Sequence, residues 1–253
     1  MVKETYVGNG TVELIAGGGK IYTDIAARFC RSERPLREII DSPYSPGIVQ
    51  NILDSGHKAA LEFDYFIFGV EGYSRVTEVQ LVRKRMASYL IKSGRAELNG
   101  KRQFNVVLPK KVAEFEADIY IWAFCDAIRL SGSDIVSLLQ QWYNAAVRSG
   151  MAEEDARYLK PQATEFKGII GMNAHALLDF FAVRCCKNAQ AEIRDMAMKM
   201  LVLCKKAAPD LFINAGPNCA QLGYCPENSR QHKDCIGKVY TKTEALKILK
   251  SYR

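Results

Sequence analysis

Two hydrophobic periods share this chain, and neither dominates it. "TVELIAGGG" (11–19) alternates apolar and polar residues and then breaks at three glycines, the pattern of a strand running into a turn. "SPGIVQNILDSG" (45–56) instead repeats apolar residues at helical spacing and closes on Gly56, as a helix with a left-handed cap would. Such a chain is expected to mix strands with helices. "LEFDYFIFGVEG" (61–72), "QFNVVLP" (103–109) and "TEFKGIIGMN" (164–173) read as further strands. The last ends at Asn173, a good helix cap for "AHALLDFFAVRCC" (174–186).

The remaining segments read as helices. "KIYTDIAARFC" (20–30) is one. "SRVTEVQLVRKRM" (74–86) is another, with Ser74 as N-cap and Val76, Val79, Val82 and Met86 as a partly buried apolar stripe. In it, Gln80 and Arg83 project from neighbouring positions. Residues 113–160 read as helical, including "DIYIWAFCDAIRLSG" (118–132), apolar almost all round, and "EEDARYLKP" (153–161), stopped by Pro161. "AQAEIRDMAMKMLVLCKKA" (189–207) and a short last helix (242–252) complete the set.

With 253 residues, 48% hydrophobic, the chain can bury one large core or two modest ones. No repeat or long linker interrupts it. The expected organisation is one domain over 1–215 and a turn-rich, cysteine-bearing tail over 216–253. No apolar run reaches membrane-spanning length, and "MVKETYVGNG" has no signal core, so a cytoplasmic protein with reduced thiols is expected.

The net charge of +7 is concentrated. Between Arg83 and Arg102 stand Arg83, Lys84, Arg85, Lys92, Arg95, Lys101 and Arg102 against one acid, Glu97. A solvated face is one reading. A receptor for an anion from outside is the other, because a buried arginine needs acceptors that the neighbouring sequence lacks. This cluster is also the sole support for nucleic-acid binding.

Common motifs fail. "GNGTVELIAGGGK" fits neither a dinucleotide fingerprint nor a phosphate loop. The three histidines, His57, His175 and His232, form no metal-binding pair. Cys219, Cys225, His232 and Cys235 offer soft ligands at spacings that fit no strong zinc pattern, so free thiols are expected and no metal. Cys185 and Cys186 read as packing residues.

Arg83-Lys84-Arg85, seven residues, then Ser93 resembles the signature of the flavin-dependent thymidylate synthases, which is Arg-His-Arg, seven residues, then Ser. Ordered likenesses extend from about residue 12 to 227. "VELIAGGGKIYTDIAARFC" resembles the family's opening strand and helix, and "GHKAALEFDYFIF" its His-x-x-x-x-Glu segment. "ARYLKP" resembles Ala-Arg-x-x-Leu-Pro, "NAHALLDFFAVRCCKNAQAEIR" a later helical segment, and "AGPNCAQLGYCPE" the cysteine-bearing tail of some members. The resemblance implies an α/β (α+β) fold, with a central, mostly antiparallel sheet flanked by helices. It also implies a homotetramer with flavin sites between subunits. The implied reaction is methylation of dUMP to dTMP, with methylenetetrahydrofolate as carbon donor, reduced FAD as hydride donor and NADPH to re-reduce the flavin.

By the same resemblance Gln80, Arg83, Ser93, Gly94, Arg95, Arg157 and Arg184 match nucleotide-holding positions. Arg184 would polarise the uracil, and Ser93 would position the nucleotide rather than attack it. His57, Arg83, Arg85 and Asn173 match flavin-contacting positions. Lys84, His175 and Asp179 occupy flavin-side positions with altered residues, where His, Arg and Asn are usual. Ile91 stands for a glutamate, Ala59 for a threonine, Phe63 for a histidine and Lys160 for a leucine. These departures keep a second reading open, a diverged relative that binds or modifies another pyrimidine nucleotide. Local alternatives also stand. Arg157 fits a surface helix, His57 a satisfied turn, Arg184 an ion pair with Asp179 or Glu192, and His175 a bond to Asp179. The whole reading needs the guanidinium groups of Arg83, Arg157 and Arg184 in one cavity, gripping a small dianion beside the flavin ring.

Overall fold

The computed structural model describes residues 2–19, 21–93, 103–121, 126–227, 235 and 240–251. It opens with β1 (Lys3–Tyr6), β2 (Thr11–Ala16), α1 (Tyr22–Phe29), α2 (Leu36–Ile40) and α3 (Pro46–Ser55). A 3-10 turn at Lys58–Phe63 leads into β3 (Tyr65–Ser74), α4 (Arg75–Leu81), β4 (Ser88–Ile91) and β5 (Asn105–Leu108). Then come α5 (Lys110–Ala113), β6 (Glu116–Ile121), β7 (Asp126–Ser131), α6 (Gly132–Arg148) and α7 (Glu153–Ala156). The chain continues through β8 (Glu165–Asn173), α8 (Ala174–Arg184), α9 (Ala191–Ala207), α10 (Pro209–Phe212) and α11 (Asn218–Leu222). It ends with β9 (Tyr224–Cys225), β10 (Tyr240–Thr241) and α12 (Lys242–Ser251).

The largest sheet has the strand order β2-β3-β8-β4. Arg75 N donates to Thr164 O at 2.9 Å and Ala174 N to Asp64 O at 2.8 Å, so numbering rises beside β3 as it falls beside β8. That is antiparallel pairing, as the expected fold class requires. Residues of the chain sort into two compact units, one of Met1–Thr11, Val70–Leu81 and Leu90–Gly168, the other of Val12–Gly69, Val82–Tyr89 and Ile169–Arg253.

The first unit has its own core of Phe104, Val106, Leu108, Val136, Tyr143 and Ala156. β1 lies parallel to β5, with Lys3 opposite Asn105. α6 starts with a reciprocal capping box. Asp134 N donates to Ser131 Oγ at 3.1 Å, and Ser131 N donates back to the Asp134 carboxylate at 2.9 Å. The buried Gln140 side chain accepts from Phe104 N, which satisfies a main-chain donor that the core would otherwise strand.

One expectation is overturned here. Residues 118–121 and 126–131, expected within one helix, are strands; β6 and β7 pair antiparallel, with Glu116 opposite Ser131 and Ile119 opposite Ile128. Continuous apolar character carries no period, and the β-branched and aromatic residues favour the extended chain. The charges agree, since Arg129 sits 2.7 Å from Glu116 and 3.8 Å from Asp118 across the pair. Those partners are too distant in sequence to meet on one helix. "EEDARYLKP" also tightens earlier than expected, into a 3-10 turn at Arg157–Leu159.

In the second unit α8 is buried on most sides through Leu177, Leu178, Phe180 and Phe181, and α9 adds Ile193, Met196 and Met200. Phe212 meets Phe66 edge-on at 5.3 Å and Phe181 at 6.1 Å. No side chain of its own caps α1; the distant, buried Asp64 does so, accepting from Tyr22 N at 2.8 Å and Thr23 N at 2.9 Å. A carboxylate at that end also complements the helix dipole. Gly56 takes φ 72 and ends α3 as its sequence position implies.

Candidate functional site

α4 is short. It ends at Leu81, so Arg83 leaves the helix and does not project beside Gln80 as the spacing suggested. The stripe expected to be partly buried is exposed instead, with Val76 at 39%, Val79 at 48%, Val82 at 42% and Met86 at 66%. Thr77 and Leu81, one turn apart, are the residues α4 buries. Helical spacing identifies a face without saying which face is covered.

In the first unit a cavity of about 500 Å³ opens between β4, β8 and the Arg157–Leu159 turn. That volume suits a small ligand. It brings together Ser93 and Arg157, far apart in sequence. Gln80, Arg83 and Arg184 are not among its lining residues, so this cavity does not gather the three arginines expected together; the Gln80 amide lies 3.4 Å from Val76 O on its own helix. Gly94 and Arg95 lie outside the described residues.

The cavity is cationic. Arg75, Lys92, Arg157, Lys160 and Lys167 line it against Glu71 and Glu165. Arg75 is held by Glu78 at 2.7 Å, and Glu165 accepts from Gly72 N at 3.3 Å. Arg157 Nε donates to Glu154 O at 3.2 Å. Lys160 stands 4.9 Å above the Tyr143 ring and 5.6 Å from Phe104, so aromatic faces help fix its position. Lys92 N donates to Lys167 O at 2.9 Å. Gly168 permits this close approach, because a Cβ there would meet Leu90 O at 2.8 Å. Sequence reasoning did not pick out Glu165 and Lys167. Their separation of two along a strand, flanking the buried Phe166, was the available signal.

The second unit holds the signature arginines. Arg83 and Arg85 are exposed, and Lys84 reaches Asp179 of α8 at 3.0 Å. The Lys84 main chain is also held, since Tyr89 Oη donates to its carbonyl at 2.8 Å. Burial pushes the Tyr89 phenol up to about 12. Ser88 is tied to Tyr65 at 3.1 Å. Arg184, the last residue of α8, is partly buried. Burial, and then the charge of Arg83, pull its guanidinium below the ordinary arginine range, so the two arginines lie within each other's field.

The expected bond between His175 and Asp179 gives way to two others. His175 Nδ1 meets Glu62 at 3.3 Å, and Asp179 meets Lys84. Asn173 caps α8 by accepting from Ala176 N at 2.8 Å. His57 is exposed. By charge, the exposed Arg83 and Arg85 suit an anionic group. No group of three or more histidine, cysteine or acidic side chains among the described residues is placed to hold a metal ion. Burial pushes the Cys185 thiol up to about 12 and raises Cys204 as well, which leaves both poor nucleophiles.

Comparison with known proteins bears on these arrangements. The family model described as "Thymidylate synthase complementing protein" matches residues 20–210. A flavin-dependent thymidylate synthase of Nitratidesulfovibrio vulgaris is 41% identical over 198 residues, covering 78% of this chain and 79% of its own. One of Geobacter sulfurreducens is 37% identical over 206 residues, covering 80% and 84%. The crystal structure of a UMP/dUMP methylase from Streptomyces cacaoi, bound to 5-Br dUMP, superposes with a TM-score of 0.67. It is 21% identical and covers 84% of this chain and 96% of its own, a likeness of fold.

Proposed function

The chain belongs to the thymidylate synthase complementing protein family, and from that premise we propose that it is a flavin-dependent thymidylate synthase converting dUMP to dTMP. The observation that carries this reading is the cationic cavity lined by both Ser93 and Arg157. A nucleotide phosphate bears about two negative charges near neutral pH, and guanidinium forks with hydroxyl donors are suited to it. Ser93 positions the nucleotide rather than attacking it. Arg184 donates to the uracil oxygens and stabilises the electron density that builds there as carbon 5 forms its new bond. His57, Arg83, Arg85 and Asn173 would hold the flavin. FAD, in its reduced form, supplies hydride; methylenetetrahydrofolate supplies the carbon, and NADPH restores the flavin.

We further propose a homotetramer in which neighbouring copies complete each site. The exposed Val76, Val79, Val82 and Met86 support such association. No helix among the described residues is long and apolar enough to cross a membrane. The free thiols of Cys30, Cys185, Cys186, Cys204, Cys219, Cys225 and Cys235 support action in the reducing cytoplasm.

The pairing of Lys84 with Asp179 and of His175 with Glu62 satisfies these altered residues within the protein. The test is release of the carbon-5 hydrogen of labelled dUMP under oxygen-free conditions with methylenetetrahydrofolate, NADPH and FAD. Steady release with dUMP and none with UMP is expected. Absence of release in protein that has taken up FAD overturns the proposal.

A further inference from the structure

Two lysines stand side by side where the first unit borders its cavity. The main-chain bond from Lys92 N to Lys167 O, 2.9 Å long, makes them neighbours on adjacent backbones, and backbones so paired run about 5 Å apart. Gly168 keeps the approach tight, since a Cβ there would come within 3.2 Å of Ile91 Cα. Like charges set opposite each other on paired backbones are destabilising. Both lysines line the cavity, together with Arg157 and with Ser93, the residue after Lys92. Arg75, another lining residue, is answered by Glu78 at 2.7 Å. Among the described residues Lys92 and Lys167 have no such acid. Both are exposed, so neither serves the core; Phe166, buried beside Lys167, does that.

We infer that Lys92 and Lys167 form a two-lysine anion seat in the cavity wall, and that the anion it takes is the phosphate of the nucleotide. The inference rests on the proposed function for the nucleotide's identity. The seat itself rests on the paired lysines and the cavity they share. Ser93 and Arg157 match nucleotide-holding positions of the family; neither lysine is among those positions. A nucleotide phosphate carries about two negative charges near neutral pH, and its arrival turns the repulsion between the lysines into shared attraction. Ammonium groups are compact charges on flexible stems, so they reward the charge of a ligand more than its shape. The seat therefore adds affinity for the phosphate and takes no part in the chemistry at the base.

The test is calorimetry on the full-length protein with dUMP and, separately, with inorganic phosphate, for wild type, Lys92→Met, Lys167→Met and the double variant. Each single change is expected to weaken dUMP binding about three- to fivefold, and the double change about tenfold. Inorganic phosphate follows the same order. At about 1 M salt, where charges are screened beyond roughly 3 Å, the variants converge on wild type. Melting temperatures stay together, because both side chains are exposed. Equal dUMP binding by wild type and the double variant at low salt overturns the seat and leaves the nucleotide reading in place. A loss that persists unchanged at high salt also overturns the seat, since it is then structural and not electrostatic. Lysine-dependent binding of inorganic phosphate by a protein that binds no dUMP leaves the seat standing and rejects the nucleotide. Binding of neither probe by wild type overturns the seat.

Discussion

The cavity of the first unit and the signature segment of the second both gather cations, yet they hold them differently. Around the cavity, Lys92, Arg157, Lys160 and Lys167 surround an open volume, positioned by main-chain bonds and aromatic rings. On the segment, Lys84 is neutralised by Asp179 and Arg184 is pressed by burial and by Arg83. The first arrangement leaves charge facing an open volume. The second keeps like charges together with protein partners. Charge clusters in a sequence look alike; whether the countercharge is internal or awaited depends on which elements face them.

The largest expected difference comes from the arginines. Arg157→Ala should weaken dUMP binding roughly a hundredfold, about 2.7 kcal/mol, because a charge-assisted fork is lost. Its melting temperature should stay near wild type, since Arg157 is exposed. Arg184→Met should abolish carbon-5 hydrogen release. Retained release in that variant would erase the contrast.

Next in size is Gly168→Ala. A Cβ there meets the β4 backbone, so a loss of about 1–3 kcal/mol in unfolding free energy is expected, together with weaker dUMP binding through displaced Ser93. Chemical denaturation and calorimetry measure the two effects. Ser131→Ala removes the cap of α6 and should cost about 1 kcal/mol in stability, with dUMP affinity intact. It marks what damage to the first unit looks like when the cavity is spared.

The smallest effect concerns Tyr89. Its phenol is raised from 10.0 to about 12, so the folded state keeps a proton that the unfolded state loses. Its contribution is full below pH 10 and declines as pH climbs toward 12. Wild type should therefore lose stability more steeply than Tyr89→Phe over that interval. Parallel alkaline slopes would mean that the tether does not hold Lys84 in solution.

Much of the fold was legible because some segments permit one answer. α3, with Pro46 inside its start and Gly56 at its end, and Asn173 before α8, carry their boundaries in residue chemistry. The hairpin of β6 and β7 was misread because an apolar run without period fits helix or strand, and cross-strand partners decided. The stripe of α4 failed for a related reason: amphipathic spacing is symmetrical until a neighbouring element covers one side. At the site, motif spacing placed Ser93, Arg157, Arg83 and Arg184 among the candidates, yet said nothing of Lys167 or of Asp179 as a partner for Lys84.

By itself the sequence determined the local vocabulary: where helices cap, where glycine must turn, where charge accumulates, and to which family the signature belongs. Tertiary structure alone decided which cation faces an acid and which faces a cavity. Local propensity acts over a few bonds, whereas the field at a side chain is set by groups brought near from anywhere in the chain.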